Sequence, residues 1–140
     1  MGKNKLIYIS ATLIILIGAI VFFVFRNGAD TERKNKNAVD KNTLTGDWIR
    51  TDAQYLIRIT KINEDGTMTA QYFNPNPINV GRANWEENYG NLRIIVEMQD
   101  VNYPGSKYTL NYLPDKDMLA GEYYQAVEGL TFYVEFSRKK

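Results

Sequence analysis

Residues Leu6–Phe25 (LIYISATLIILIGAIVFFVF) carry no charge and no proline, and their one glycine is Gly18. At about 1.5 Å rise per residue, a helix of this length crosses the roughly 30 Å hydrocarbon core of a bilayer. No later stretch is comparably apolar. The chain therefore divides into an N-terminal membrane anchor with a short basic head (1–25), a flexible linker (26–43) and one polar domain (44–140). A helix buried in a protein core is the competing use of such a run.

Lys3 and Lys5 precede the apolar run as in a signal sequence. The run exceeds the 7–15 residues or so of a signal-peptide core, and no small residue stands three before a cut after Ala29. This favours an uncleaved signal anchor over a cleaved peptide. Arg26, Arg33, Lys34, Lys36 and Lys41 follow the span, and a strict count of basic residues would hold the domain inside. The signal-like layout argues for the opposite orientation. The expectation is a single-pass protein of a bacterial cytoplasmic membrane with its domain outside the cytoplasm. The linker, RNGADTERKNKNAVDKNT, shows no apolar periodicity and reads as a spacer.

Charge is unevenly spread. Leu44–Lys140 holds 10 Lys and Arg against 13 Asp and Glu, whereas the first 43 residues hold 7 against 3. An acidic domain argues against nucleic acid as a partner. The basic excess sits where anionic headgroups would attract it. There is no Cys and no His, which removes disulfides, thiolate chemistry, the commonest general base and the commonest zinc ligands. No phosphate loop, metal spacing or nucleophile motif stands out. Neither a cofactor nor a metal is expected.

From Gly46 onward the apolar pattern has period two. Leu92, Ile94, Val96 and Met98 alternate with Arg93, Ile95, Glu97 and Gln99. The same alternation marks Met68–Tyr72, Tyr108–Tyr112 and Phe132–Phe136, and more weakly Asp47–Arg50, Tyr55–Ile62, Val80–Glu86 and Met118–Ala126. Turn clusters separate them, with Asp65-Gly66 and Pro104-Gly105 the strongest. Eight short strands without a crossover helix predict an all-β domain, an eight-stranded antiparallel up-and-down small barrel. A β-sandwich is the alternative. The inward face would hold Trp48, Tyr55, Ile57, Tyr72, Trp85, Ile94, Val96, Tyr108, Leu110, Tyr112, Tyr123, Phe132 and Val134, as packed core or as the lining of a cavity.

Leu44-Thr45-Gly46-Asp47-Trp48 resembles the opening of lipocalin- and avidin-type barrels, which carry Gly-x-Trp on the first strand. Many lipocalins set an arginine of the last strand over that tryptophan. Arg138 shares the parity of Phe132, Val134 and Phe136, so the resemblance implies a structural Trp48–Arg138 stack. The residues after Trp48 lack the biotin-contacting pattern of avidins. The segments Tyr72–Val80, Asp100–Ser106 and Gly121–Val127 also resemble a family of small exported bacterial proteins with no assigned activity. That likeness implies a location and a fold type, and no chemistry.

In a meander the connections alternate between two ends. Asn74–Asn79, with Pro75 and Pro77, and Asn102–Ser106 share one end and depart most from hairpin chemistry. The prolines predict a rigid, unpaired loop at Asn74–Asn79. These two loops are expected to meet, opposite the end where the linker joins. Candidate ligand or partner contacts there are Asn74, Asn76, Asn79, Arg82, Asn102, Tyr103, Tyr124 and Gln125, amides for orientation and aromatics for area. The expected function is a non-enzymatic, membrane-anchored binding or accessory module. Its mouth would face away from the membrane and take a small amphipathic ligand or an envelope protein. A structural subunit of an envelope complex is the alternative. A hydrolase using a pair among Asp47, Asp52, Glu86, Glu87, Asp100 and Glu122 is a weaker one.

Overall fold

The computed structural model describes residues 39–140. The expected membrane anchor and the expected linker up to residue 38 lie outside the described residues. Among the described residues no helix is long and apolar enough to cross a membrane.

The eight expected period-two segments form strands, and a ninth, short strand joins them, so the sheet has nine strands where eight were expected. These are β1 (Gly46–Arg50), β2 (Leu56–Ile62), β3 (Met68–Asn74), β4 (Asn76–Ile78), β5 (Val80–Asn88), β6 (Asn91–Met98), β7 (Lys107–Leu113), β8 (Met118–Gln125) and β9 (Leu130–Arg138). They make one antiparallel sheet in the order β4-β3-β2-β1-β9-β8-β7-β6-β5. First and last strands pair directly, Trp48 opposite Arg138, so the meander curls round into a nearly closed barrel. Among the described residues the strands form this one sheet, not the two separate sheets that a sandwich requires.

The strand β4 corrects the expected unpaired loop at Asn74–Asn79. Asn74 faces Asn76 across Pro75, Phe73 faces Pro77 and Tyr72 faces Ile78. Proline is tolerated here because β4 is an edge strand with no neighbour on its far side. Its partly buried Ile78 packs against the core, an apolar gain that an open loop would forgo. The remaining seam lies between β3 and β5. It is sealed near the β2–β3 turn, where Trp85 N–H donates to the Gly66 carbonyl (2.8 Å) and Trp85 Nε1 to that of Asn63 (2.7 Å).

One end of the barrel is plugged. The compact unit begins at Val39, ahead of the boundary at Leu44 expected from composition. Asp40 caps a 3-10 turn, Lys41–Leu44, accepting from the Asn42 N–H. Leu44 and Trp48 are fully buried, and Trp48 Nε1 donates to the Leu44 carbonyl at 2.9 Å. The Arg138 guanidinium lies 4.1 Å above the Trp48 ring. It donates to the carbonyls of Thr43 (2.7 Å) and Thr45 (2.8 Å) and, through two nitrogens, to Asp117 (2.7 and 2.9 Å). Gly46 makes room for it, since a Cβ there would stand 2.8 Å from Arg138 Nη1. Above this plug Ile57, Ile94, Val96, Leu110, Leu119 and Phe136 fill the middle of the barrel.

Candidate functional site

The opposite end is open. A cavity of about 430 Å³ enters it, lined by Arg50, Asp52, Ala53, Tyr55, Tyr72, Asn74, Tyr103, Tyr108, Tyr123, Gln125 and Phe132. The strand parity explains most of this lining. Inward positions recur every second residue, and each set continues one or two steps past its apolar core. Trp48 is followed by Arg50, Tyr72 by Asn74 and Tyr123 by Gln125, while Tyr108 and Phe132 open the inward sets of β7 and β9. The interior thus grades from Trp48 at the plug through aliphatic side chains and tyrosine to polar groups at the rim. The aromatic interior is packed in its lower part and lines a space in its upper part.

The floor is a pair of phenols, with the Tyr72 and Tyr108 hydroxyls 3.0 Å apart. The Tyr108 ring stacks on Tyr123 (centroids 4.7 Å apart, planes 28° apart) and meets Phe136 edge-on. Phe132 stands above Tyr123, nearly parallel at 22° and 6.5 Å away. Burial pushes the Tyr108 phenol up to about 12 and raises those of Tyr72 and Tyr123 as well. All three remain neutral hydroxyls at physiological pH.

The cavity's two formal charges neutralise each other. Arg50 donates through Nε and Nη2 to the two carboxylate oxygens of Asp52, at 2.6 and 2.9 Å. Its side chain is only 14 % exposed, whereas that of Asp52 is 61 % exposed. Burial works against the Arg50 charge, but the bond to Asp52 and the nearby Tyr108 outweigh it, and the guanidinium is held charged. The hydrogen bond from Arg50 in turn lowers Asp52. The guanidinium also lies 5.3 Å from the Tyr55 ring centroid, a cation–π contact that braces the wall.

The two unusual loops meet at this mouth. Asn74 Nδ2 donates to the Tyr103 hydroxyl at 2.7 Å, across 29 residues of sequence. The Gln99 N–H donates to the Asn79 carbonyl at 2.8 Å, and the Asn79 N–H to Asp100 at 3.3 Å. Of the eight expected contacts, Asn74, Tyr103 and Gln125 line the cavity. The other five do not. Asn76 is exposed on the edge strand. Asn79 is occupied in holding the two loops together. Arg82 pairs with Glu97 (2.9 Å) on the outer face. Asn102 is exposed in its turn. Tyr124 follows the inward Tyr123 by one residue, so it faces out.

Sequence reasoning passed over Arg50 and Asp52 as cavity residues and left Tyr55, Tyr72, Tyr108, Tyr123 and Phe132 as core or lining. The usable signal was parity, because Arg50 sits two residues after Trp48 at the mouth end of the same strand. Among the carboxylates weighed for hydrolysis, Asp52 alone lines the cavity, and it is bound to Arg50. Asp47 pairs instead with Arg58 (2.7 Å) and Glu86 with Arg93 (3.1 Å). No group of three His, Cys, Asp or Glu side chains suited to a metal ion occurs among the described residues. Compared with protein-family models, curated proteins and solved structures, the chain matches none.

Proposed function

We propose that this protein is a membrane-anchored, extracytoplasmic binding module that takes a small amphipathic ligand into the open end of its barrel. The single observation that carries this reading is the cavity of about 430 Å³. Its volume falls within the range of small-molecule sites, and aromatic faces combined with a few fixed polar groups are their usual lining. The Gly-x-Trp opening and the last-strand arginine, read as lipocalin-like, support the assignment. They lock one end of the barrel and leave the other to bind. The cavity contains no paired carboxylates and no base–nucleophile couple, which favours binding over catalysis.

A second reading, a subunit of an envelope complex, draws on Val127, Leu130, Phe132 and Tyr133, large apolar side chains exposed on the β8–β9 hairpin. One experiment separates the two. Full-length protein is purified, and the small molecules and proteins retained on it are identified by mass spectrometry. The same is done for Tyr103→Ala and Gln125→Ala at the mouth and for Glu64→Ala and Lys116→Ala at the plugged end. Loss of a small molecule in the mouth variants alone is the expected result. An unchanged profile, or equal losses at both ends, overturns the assignment.

A further inference from the structure

Resting on the binding reading above, we infer that the ligand class of this cavity is an uncharged sugar, a short oligosaccharide unit. Its ring would lie against Phe132, and its hydroxyls would meet Asn74, Gln125 and the Arg50–Asp52 pair. Four properties of the cavity carry the choice.

The floor is polar. An acyl chain entering the barrel would end its methyl group against the Tyr72–Tyr108 hydroxyl pair, a polar surface with which it makes no hydrogen bond. The apolar space deeper in the barrel is already filled, since Trp48, Phe136 and Ile94 are fully buried. A long hydrophobic ligand therefore has nowhere to go.

A cation is disfavoured. The guanidinium of Arg50 already occupies the wall and one aromatic face, that of Tyr55. The rings stand 4.7 to 6.4 Å apart, centroid to centroid, along the run from Tyr55 through Tyr72 and Tyr108 to Tyr123. They pack on one another and leave no gap between faces for an ammonium group. A bare anion is disfavoured as well, because both carboxylate oxygens of Asp52 already hold the fork of Arg50.

The remaining groups suit a neutral molecule with one apolar face and an edge rich in hydroxyls. The neutral phenols and the amides of Asn74 and Gln125 each donate and accept. The Arg50–Asp52 pair sets donors and acceptors in one plane, as adjacent hydroxyls require. Phe132 is 43 % exposed at the lip, whereas Tyr123 beneath it is buried, so Phe132 is the aromatic ring against which the C–H face of a pyranose would stack.

The test applies full-length protein to an array of neutral and acidic oligosaccharides and titrates retained sugars by calorimetry, with palmitate and choline as parallel probes. Saturable binding of at least one neutral sugar, and of neither palmitate nor choline, is expected. Phe132→Ala should weaken that binding by about tenfold or more, the equivalent of about 1.4 kcal/mol. Phe132→Tyr should retain it, and Arg82→Ala on the outer face should leave it unchanged. Gln125→Ala gives an independent second loss should Phe132→Ala fail to fold. Binding of palmitate or choline that depends on Phe132, with no sugar retained, overturns the sugar class and leaves the mouth as a ligand site. If no probe binds and the small-molecule profile of the mouth variants also equals that of the unmodified protein, both readings fall.

Discussion

Arg138 should behave as the keystone of the plugged end, and its worth can be worked from its contacts. Stacking on Trp48 contributes about 0.5–2 kcal/mol. The hydrogen bonds to the Thr43 and Thr45 carbonyls have a charged donor and contribute about 1.5–3 kcal/mol each when taken alone. The Asp117 pair is partly exposed, with side chains 29 % and 47 % accessible, so solvent screening holds it to about 0.2–1 kcal/mol. These contacts share one side chain and water replaces part of what is lost, so Arg138→Ala should cost about 2–4 kcal/mol in total. Trp48→Ala removes a fully buried indole and should cost about 3–5 kcal/mol. At about 4–8 °C per kcal/mol for a domain of this size, either change is large in a thermal melt. Urea unfolding followed by tryptophan fluorescence of Arg138→Ala, Trp48→Phe, Trp48→Ala and the double variants gives the coupling. The Trp48–Arg138 term should be about 1–2 kcal/mol and non-additive. Arg138→Lys should recover less than half the loss, because an ammonium cannot serve two carbonyls and a carboxylate as a planar fork does. Asp117 adds a pH signature. The hydrogen bond from Arg138 depresses its folded pKa below the ordinary 3.8. Its contribution is present above that value and disappears as pH falls through the depressed folded value. Stability should therefore drop more steeply below about pH 4 in the unmodified protein than in Asp117→Asn. Strictly additive losses, or an Arg138→Ala variant as stable as the unmodified protein, would refute the keystone argument.

Three further outcomes follow from other parts of the barrel. At Gly121 a Cβ would collide with the Thr109 carbonyl oxygen on β7 and stand 3.1 Å from the Leu110 Cα. Gly121→Ala should therefore destabilise by about 1–3 kcal/mol or more in urea unfolding, and a neutral result would deny the close approach of β7 and β8. In an alkaline titration read by tyrosinate absorbance, the buried phenols of Tyr72, Tyr108 and Tyr123 should resist ionisation beyond the ordinary phenol range near 10. Because their folded values are raised, stability should hold below about pH 10 and fall as pH rises towards 12; a single normal transition for all ten tyrosines would contradict the buried floor. A C-terminal epitope should be reached by antibody on spheroplasts without lysis, and labelling only after lysis would reverse the proposed orientation.

The sequence by itself determined the strand pattern, because one buried face forces period two whatever the final curvature. That pattern identified Trp48, Ile94, Val96, Leu110 and Val134 as interior, and the lipocalin resemblance implied Arg138 as the neighbour of Trp48. It also placed the Asn74–Asn79 and Asn102–Ser106 loops at one end. Tertiary structure decided the rest. Parity says which side a residue faces and not how much room it finds there. Whether Tyr72, Tyr108 and Tyr123 fill the barrel or line a cavity depends on how far the sheet curls, a property of all its strands together. Parity also says nothing of an edge, and Pro77 could enter β4 only because nothing pairs on its far side. The Tyr72–Tyr108 hydroxyl contact is a matter of side-chain reach across the barrel floor. The contact spans 36 residues, a distance at which local pattern carries no information.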